Sequence, residues 1–280
     1  MNHPFEAFEL RGRTALVTGG GTGLGRHMSR ALARAGAQVV ICARREQVLR
    51  DTAADLNADP AICGRVSYHV VDLARRESIR ALIDATSARF GGADIFIGNA
   101  AIDCLEHVEL IKDESIDAMC QVNISANVEL IRGLVPYMRK QQWGRVILIS
   151  SATTICTSPH EGAGMYTAVK GALNAFTRTC ATELGHDGIT VNSLVLGMFL
   201  TDIVRDIFSQ IDQAHGPGAG DAAQRSFSSM TALGRLGECQ EVEGVVQLLA
   251  SEAGRYITGS SLVLDGGISI MLRPHEPRAV

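Results

Sequence analysis

Thr14-Ala15-Leu16-Val17-Thr18-Gly19-Gly20-Gly21-Thr22-Gly23-Leu24-Gly25 is the stretch on which the fold of this chain turns. Its first five residues have the length and apolar centre of a short buried strand, and five glycines fall in the seven residues that follow. Helical periodicity then takes over around Arg26–Ala35. In a strand, glycine turn and helix in this order, backbone N–H groups at the positive helix N-terminus can approach a pyrophosphate. Glycine clusters also make plain turns, so the strand before and the helix after give this one its meaning. The spacing is Gly-x-x-x-Gly-x-Gly rather than Gly-x-Gly-x-x-Gly.

Outward from this loop, short apolar runs alternate with helical patterns. Gln38–Cys42, Arg65–Val71, Ile95–Ile97, Arg145–Ser150, Ile189–Leu196 and Ser261–Leu264 read as further strands. Ile79, Leu82, Ile83 and Phe90 share one helical face, and a long helical stretch covers roughly Asp113–Gln141. Continuous apolar strands separated by helices predict an α/β fold. The expected form is a Rossmann-type doubly wound parallel sheet of about seven strands, covered by helices on both faces. The length of 280 residues, without an internal repeat, suits a single domain over 1–280. Two segments break the rhythm. Thr201–Met230 holds Gly216-Pro217-Gly218-Ala219-Gly220 between amphipathic stretches and is expected to be a mobile lid. Leu272–Val280 is expected to be a loose tail.

Composition narrows the class. A net charge of −4 and a pI near 6.1 give no reason to expect nucleic acid or an anionic membrane as partner. The first ten residues carry two acids and no apolar run, unlike a signal peptide, and no stretch approaches membrane-spanning length. Cysteines 42, 63, 104, 120, 156, 180 and 239 are odd in number and form no Cys-x-x-Cys. Reduced thiols in a cytoplasmic protein are expected, with no metal site.

Tyr166 and Lys170 lie four residues apart, on one face of a helix. An ammonium beside a phenol favours the phenolate and lowers a pKa that is otherwise about 10, which makes the tyrosine a usable general acid or base. Lys170 is one of only three lysines, so the pairing is not a by-product of a lysine-rich surface. At the end of the second strand stands Ala43-Arg44-Arg45, with no acid before Glu46. A carboxylate there would select NAD; arginine pairs with phosphate in a fixed fork, so Arg44 favours NADP(H). NAD(H) can still enter a site that merely lacks the acid.

With the glycine loop and the Tyr166/Lys170 pair in one chain, the sequence resembles the short-chain dehydrogenase/reductase family from about Leu10 to Ile268. Asp72-Leu73, Asn99-Ala100-Ala101, Asn123, Ser150-Ser151, Thr258-Gly259 and Asp265-Gly266-Gly267 fall in the family's order. The resemblance implies that Tyr166 exchanges a proton with the substrate oxygen, that Ser151 bonds the same oxygen, and that Lys170 lowers the tyrosine pKa and holds the nicotinamide ribose. Asn123 would support a water linking Lys170 to solvent. Gly19, Gly21, Thr22, Gly23, Leu24 and Gly25 would hold the pyrophosphate, and Asp72 and Leu73 would meet the adenine. Asn99 and Ala100, with Ala101 beside them, would line the adenosine ribose, and Phe199 and Thr201 the nicotinamide carboxamide. The resemblance also implies dimers or tetramers built on the helices around Asp113–Gln141 and Gly162–Gly185.

The chain departs from the family pattern in four places. Ala101 and Leu196 replace the usual glycine and proline; the interval from Ser151 to Tyr166 is two residues longer than usual, so Thr153 is an alternative to Ser151; and Thr22 replaces a basic residue common in NADP-dependent members. Several residues keep a second reading: Asp72 can cap the next helix, Asn123 can bend a helix, and His160 and Glu161 are either loop residues at the mouth or a second acid/base pair. The expected activity is NADP(H)-dependent interconversion of a carbonyl and a secondary alcohol. An NAD(H)-dependent enzyme, a non-catalytic cofactor sensor, and an epimerase or dehydratase are the alternatives. Ile203, Val204, Ile207, Phe208, Phe227 and Met230 in the lid lean toward a hydrophobic small-molecule substrate.

Overall fold

The central apolar runs become strands because each alternates its side chains between two cores. In β1 (Thr14–Thr18), Ala15 and Val17 pack into one buried cluster and Leu16 into the other. β4 (Ile95–Gly98) divides Ile95 and Ile97 from Phe96, and β5 (Gly144–Ser151) divides Ile147 and Ile149 from Val146 and Leu148, in the same way. Burial on both faces is what a continuous apolar strand requires.

The structure is a computed structural model and describes residues 4–62, 64–158 and 161–271. With β2 (Gln38–Ala43), β3 (Val66–Val70), β6 (Ile189–Leu196) and β7 (Ser261–Leu264), the strands form one parallel sheet in the order β3-β2-β1-β4-β5-β6-β7. The strand order reverses between β1 and β4, which pair at Ala15 and Ile95, and doubly wound sheets bind ligands beyond the carboxyl ends of the strands at such a switch. The helices are α1 (Gly23–Arg34), α2 (Glu46–Asn57), α3 (Arg76–Phe90), α4 (Asp113–Met119), α5 (Ala126–Gln141), α6 (Gly164–Leu184), α7 (Asp202–His215), α8 (Ala219–Ser229) and α9 (Glu243–Ala250). α1 packs with α9, and α3 with α5.

Two expectations are refined. The stretch over 113–141 is not one regular helix: a π-helical turn, Cys120–Ser125, joins α4 to α5. The segment expected to be a lid is two helices, α7 and α8, turned by Gly216 and Gly218 at φ +95° and +89°. Val204, Phe208, Ile211 and Phe227 pack there with Leu200 and Leu236 as a satellite core. Val204, Phe208 and Phe227 are thus used in packing, whereas Ile203 and Ile207 remain exposed. The tail 272–280, His160 and Cys63 lie outside the described residues. Among the described residues no helix is long and apolar enough to cross a membrane.

Candidate active site

The glycine loop is built by close approach. A Cβ on Gly25 would lie 2.1 Å from the Gly19 carbonyl oxygen, and one on Gly19, at φ +65°, would lie 2.8 Å from Asn99 Nδ2. Thr22 is the N-cap of α1 yet makes no side-chain capping bond, so no hydroxyl occupies the donors of the first turn. Asn99 fastens the loop to the neighbouring strand end: its Nδ2 donates to the carbonyls of Thr18, at 2.9 Å, and Gly19. Thr18 is the other half of that fastening, because its Oγ1 donates to the Ile97 carbonyl and accepts from the amides of Asn99 and Ala100. Thr18 was not among the expected site residues; its signal in the sequence is a hydroxyl placed between the apolar run Ala15–Val17 and the glycines.

The other expected cofactor residues come after the carboxyl ends of β2, β3, β4 and β6. Arg44 is exposed just past β2 and forms no ion pair with another described residue, whereas Arg26 is held by Asp55. Asp72 does not cap α3, whose N-cap is Arg75; its Oδ1 instead accepts from Ala74 N in a tight turn. Leu73 is buried and Ala101 is exposed. Thr201 caps α7, accepting from Val204 N, and a Cβ on Gly23 would stand 3.5 Å from its Cγ2, so the base of α7 abuts the glycine loop. Phe199 is buried and bridges to Gly237. Leu196 ends β6 in register with Leu264, and the Gly197 amide donates to the Leu264 carbonyl; Gly197 itself is required, since a Cβ would lie 2.6 Å from Asp265 Cα.

At the end of β5 the chemistry-bearing side chains meet. Tyr166, near the start of α6, lies beside Ser151, whose hydroxyl acts on the phenol. Ser151 Oγ also accepts from the amide and hydroxyl of Thr153, so Thr153 stands behind Ser151 and bonds to it. Lys170 is 2% exposed; its Nζ donates to the Ile149 carbonyl at 2.7 Å and lies 5.7 Å from the Tyr166 ring centroid. Asn123 is fully buried in the π turn, where its Oδ1 accepts from Ile102 N and its Nδ2 donates to Ile102 O, at 3.0 and 2.8 Å. Its side chain therefore clamps the main chain of Ile102, on both sides of its Cα, in the loop after β4. Glu161 faces His107 at 3.6 Å, both exposed.

The electrostatics depart from the expectation for Tyr166. Burial pushes its phenol up to about 12, the Asp103 charge adds to the rise, and the Ser151 hydroxyl opposes it. Burial likewise pulls Lys170 down to about 8, against the attraction of Asp103. Desolvation outweighs pairing here, because the ammonium is engaged with a main-chain carbonyl and not with the phenol oxygen.

Residues 13–212 match the family model for short chain dehydrogenase. The chain belongs to the short-chain dehydrogenase family. Among curated members it is 32% identical to a D-beta-hydroxybutyrate dehydrogenase of Rhizobium meliloti, covering 91% of this chain and 98% of that one. It is 31% identical to a 3-oxoacyl-[acyl-carrier-protein] reductase of Escherichia coli, covering 92% and 98%. The structure of L-sorbose reductase from Gluconobacter frateurii, complexed with NADPH and L-sorbose, superposes with a TM-score of 0.89 at 29% identity over 95% of this chain and 100% of that one. As a short-chain dehydrogenase the protein is an oxidoreductase, and its seven-stranded parallel sheet is the family's fold.

Proposed function

We propose that this chain interconverts a small carbonyl compound and a secondary alcohol with NADP(H), with Tyr166 as general acid and base. The observation that carries the proposal is the meeting of Tyr166, Ser151 and the buried Lys170 at the strand ends next to the glycine loop. The residues present fit a phosphorylated dinucleotide: the first turn of α1 has no side-chain cap, and Arg44 stands unpaired among the described residues where an NAD-selecting acid would be.

Gly19, Gly21, Thr22, Gly23, Leu24 and Gly25 would hold the pyrophosphate, and Arg44 the adenosine phosphate. Asp72 and Leu73 would meet the adenine; Asn99, Ala100 and Ala101 the ribose; Tyr166 and Lys170 the second ribose; Phe199 and Thr201 the carboxamide. When bound, the nicotinamide supplies or accepts the hydride. In reduction Tyr166 Oη donates its proton to the substrate oxygen as negative charge grows there, and Ser151 Oγ donates a hydrogen bond to the same oxygen. Burial, which holds Tyr166 at about 12, keeps that proton in place at neutral pH. Asn123 holds the Ile102 main chain that forms one wall of the site. The NADPH and NADP complexes among the structural neighbours support the cofactor.

Tyr166→Phe is expected to lower kcat by about 10³-fold or more while leaving the Kd for NADPH within about threefold. Undiminished turnover would sink the assignment. Arg44→Ala should raise KM for NADPH about tenfold and leave NADH unaffected; equal effects on both would remove the preference for NADP(H).

A further inference from the structure

Beyond β4 the chain runs Asn99-Ala100-Ala101-Ile102-Asp103 across the top of the sheet, fixed at both ends of that run. Asn99 is fastened to Thr18, and Ile102 is clamped through its amide and its carbonyl by Asn123. Asp103 follows that clamp directly. Just beyond it, Leu105 and Glu106 back onto Gly162, where a Cβ would come within 2.7 Å of Glu106 N. Gly162 precedes the first turn of the Tyr166 helix. The loop carrying Asp103 is thereby seated at the mouth of the site, and the Asp103 charge acts on both Tyr166 and Lys170.

The neighbouring carboxylates are already engaged. Glu106 accepts from Lys112 N, Glu161 faces His107, and Asp265 accepts from Gly267 N and Ser269 N. Asp103 is exposed, and among the described residues it has neither a hydrogen bond nor an ion pair. Leu105 and Ile155, on the flanking loops, are about half exposed at 52% and 48%. The mouth therefore offers apolar surface and one uncommitted acceptor that carries a negative charge.

We propose that Asp103 is a specificity-determining residue, selecting a neutral carbonyl compound that carries a hydroxyl beside the reacting carbon and turning away carboxylates. This rests on the carbonyl–alcohol reading of the site. A substrate entering the mouth displaces the water around the carboxylate. A hydroxyl replaces that lost donor, a plain hydrocarbon leaves the acceptor unpaired, and an anion meets like charge in a site partly cleared of water.

Three methyl ketones of matched size test the proposal: 3-hydroxy-2-butanone, 2-butanone and acetoacetate, each reduced with NADPH. Wild-type kcat/KM should fall in that order, with acetoacetate at least about tenfold below the hydroxy ketone. Asp103→Asn keeps an acceptor and removes the charge, so it should raise kcat/KM for acetoacetate about tenfold, chiefly through KM, and leave the hydroxy ketone within about threefold. Asp103→Leu removes both properties and should lower the hydroxy ketone about tenfold while raising 2-butanone, so that the preference between the two is lost. Parallel changes for all three ketones would show a merely structural role and overturn the proposal. Equal use of acetoacetate and the hydroxy ketone by the wild type would overturn it too. No turnover of any ketone by wild type that still binds NADPH would instead defeat the carbonyl reading, and this proposal with it.

Discussion

The Lys170 ammonium donates to the Ile149 carbonyl from a position almost wholly removed from water. Its pKa drops from 10.5 unfolded to about 8 folded, so between those values the unfolded chain holds a proton that the folded chain has released. Stability contributed by this site therefore rises with pH across that window and is lowest below pH 8. Buried thiols act in the opposite sense: the folded state keeps the proton on Cys180 up to about 11. The lysine contribution is isolated by subtraction. Compared with Lys170→Met in urea unfolding at several pH values, the wild type should gain about 2–4 kcal/mol between pH 8 and 10.5. A difference that stays flat would mean that the ammonium is better solvated than its burial indicates.

Elements are set by patterns that the sequence displays and by contacts that it does not. The glycine loop shows why. Its glycines mark a turn at once, but only the distance from Gly25 to the Gly19 carbonyl says which of them must stay glycine. Gly25→Ala is expected to destabilise the protein by about 1–3 kcal/mol and to weaken NADPH binding at least tenfold. Gly244→Ala, in the first turn of α9 with nothing within 4 Å of the added methyl, should be neutral or mildly stabilising. Urea denaturation and NADPH titration of both variants check the contrast; equal behaviour would contradict it. The π turn in the helical stretch is the converse case. Periodicity read across 113–141 as a continuous helix, because one turn with an altered hydrogen-bond pattern hardly disturbs an apolar stripe.

On the scale of the molecule, chemistry and anchoring occupy opposite ends of the sheet. The glycine loop, Asn99, Ser151 and Gly197 follow the carboxyl ends of the strands. At the amino ends, the guanidinium groups of Arg13 and Arg145 lie 3.8 and 4.1 Å from the Trp143 ring centroid, with Asp94 and Glu252 as their ionic partners. Trp143 Nε1 also donates to Glu252. Trp143→Leu should lower unfolding stability by about 2–4 kcal/mol and leave kcat unchanged. Far-UV circular dichroism is the measurement, since the substitution removes the chain's one tryptophan; a fall in kcat at unchanged stability would contradict this separation of roles. The sequence by itself determined the strand runs, the parallel sheet, the glycine loop and the Tyr166/Lys170 pair, because all of these rest on periodicity or short fixed spacing. Only the tertiary structure decided that burial raises the Tyr166 pKa, that Thr153 donates to Ser151, and that Asp103 has no ion pair among the described residues. Desolvation and charge at a site depend on what distant segments bring to it, and the order of residues along the chain does not record that.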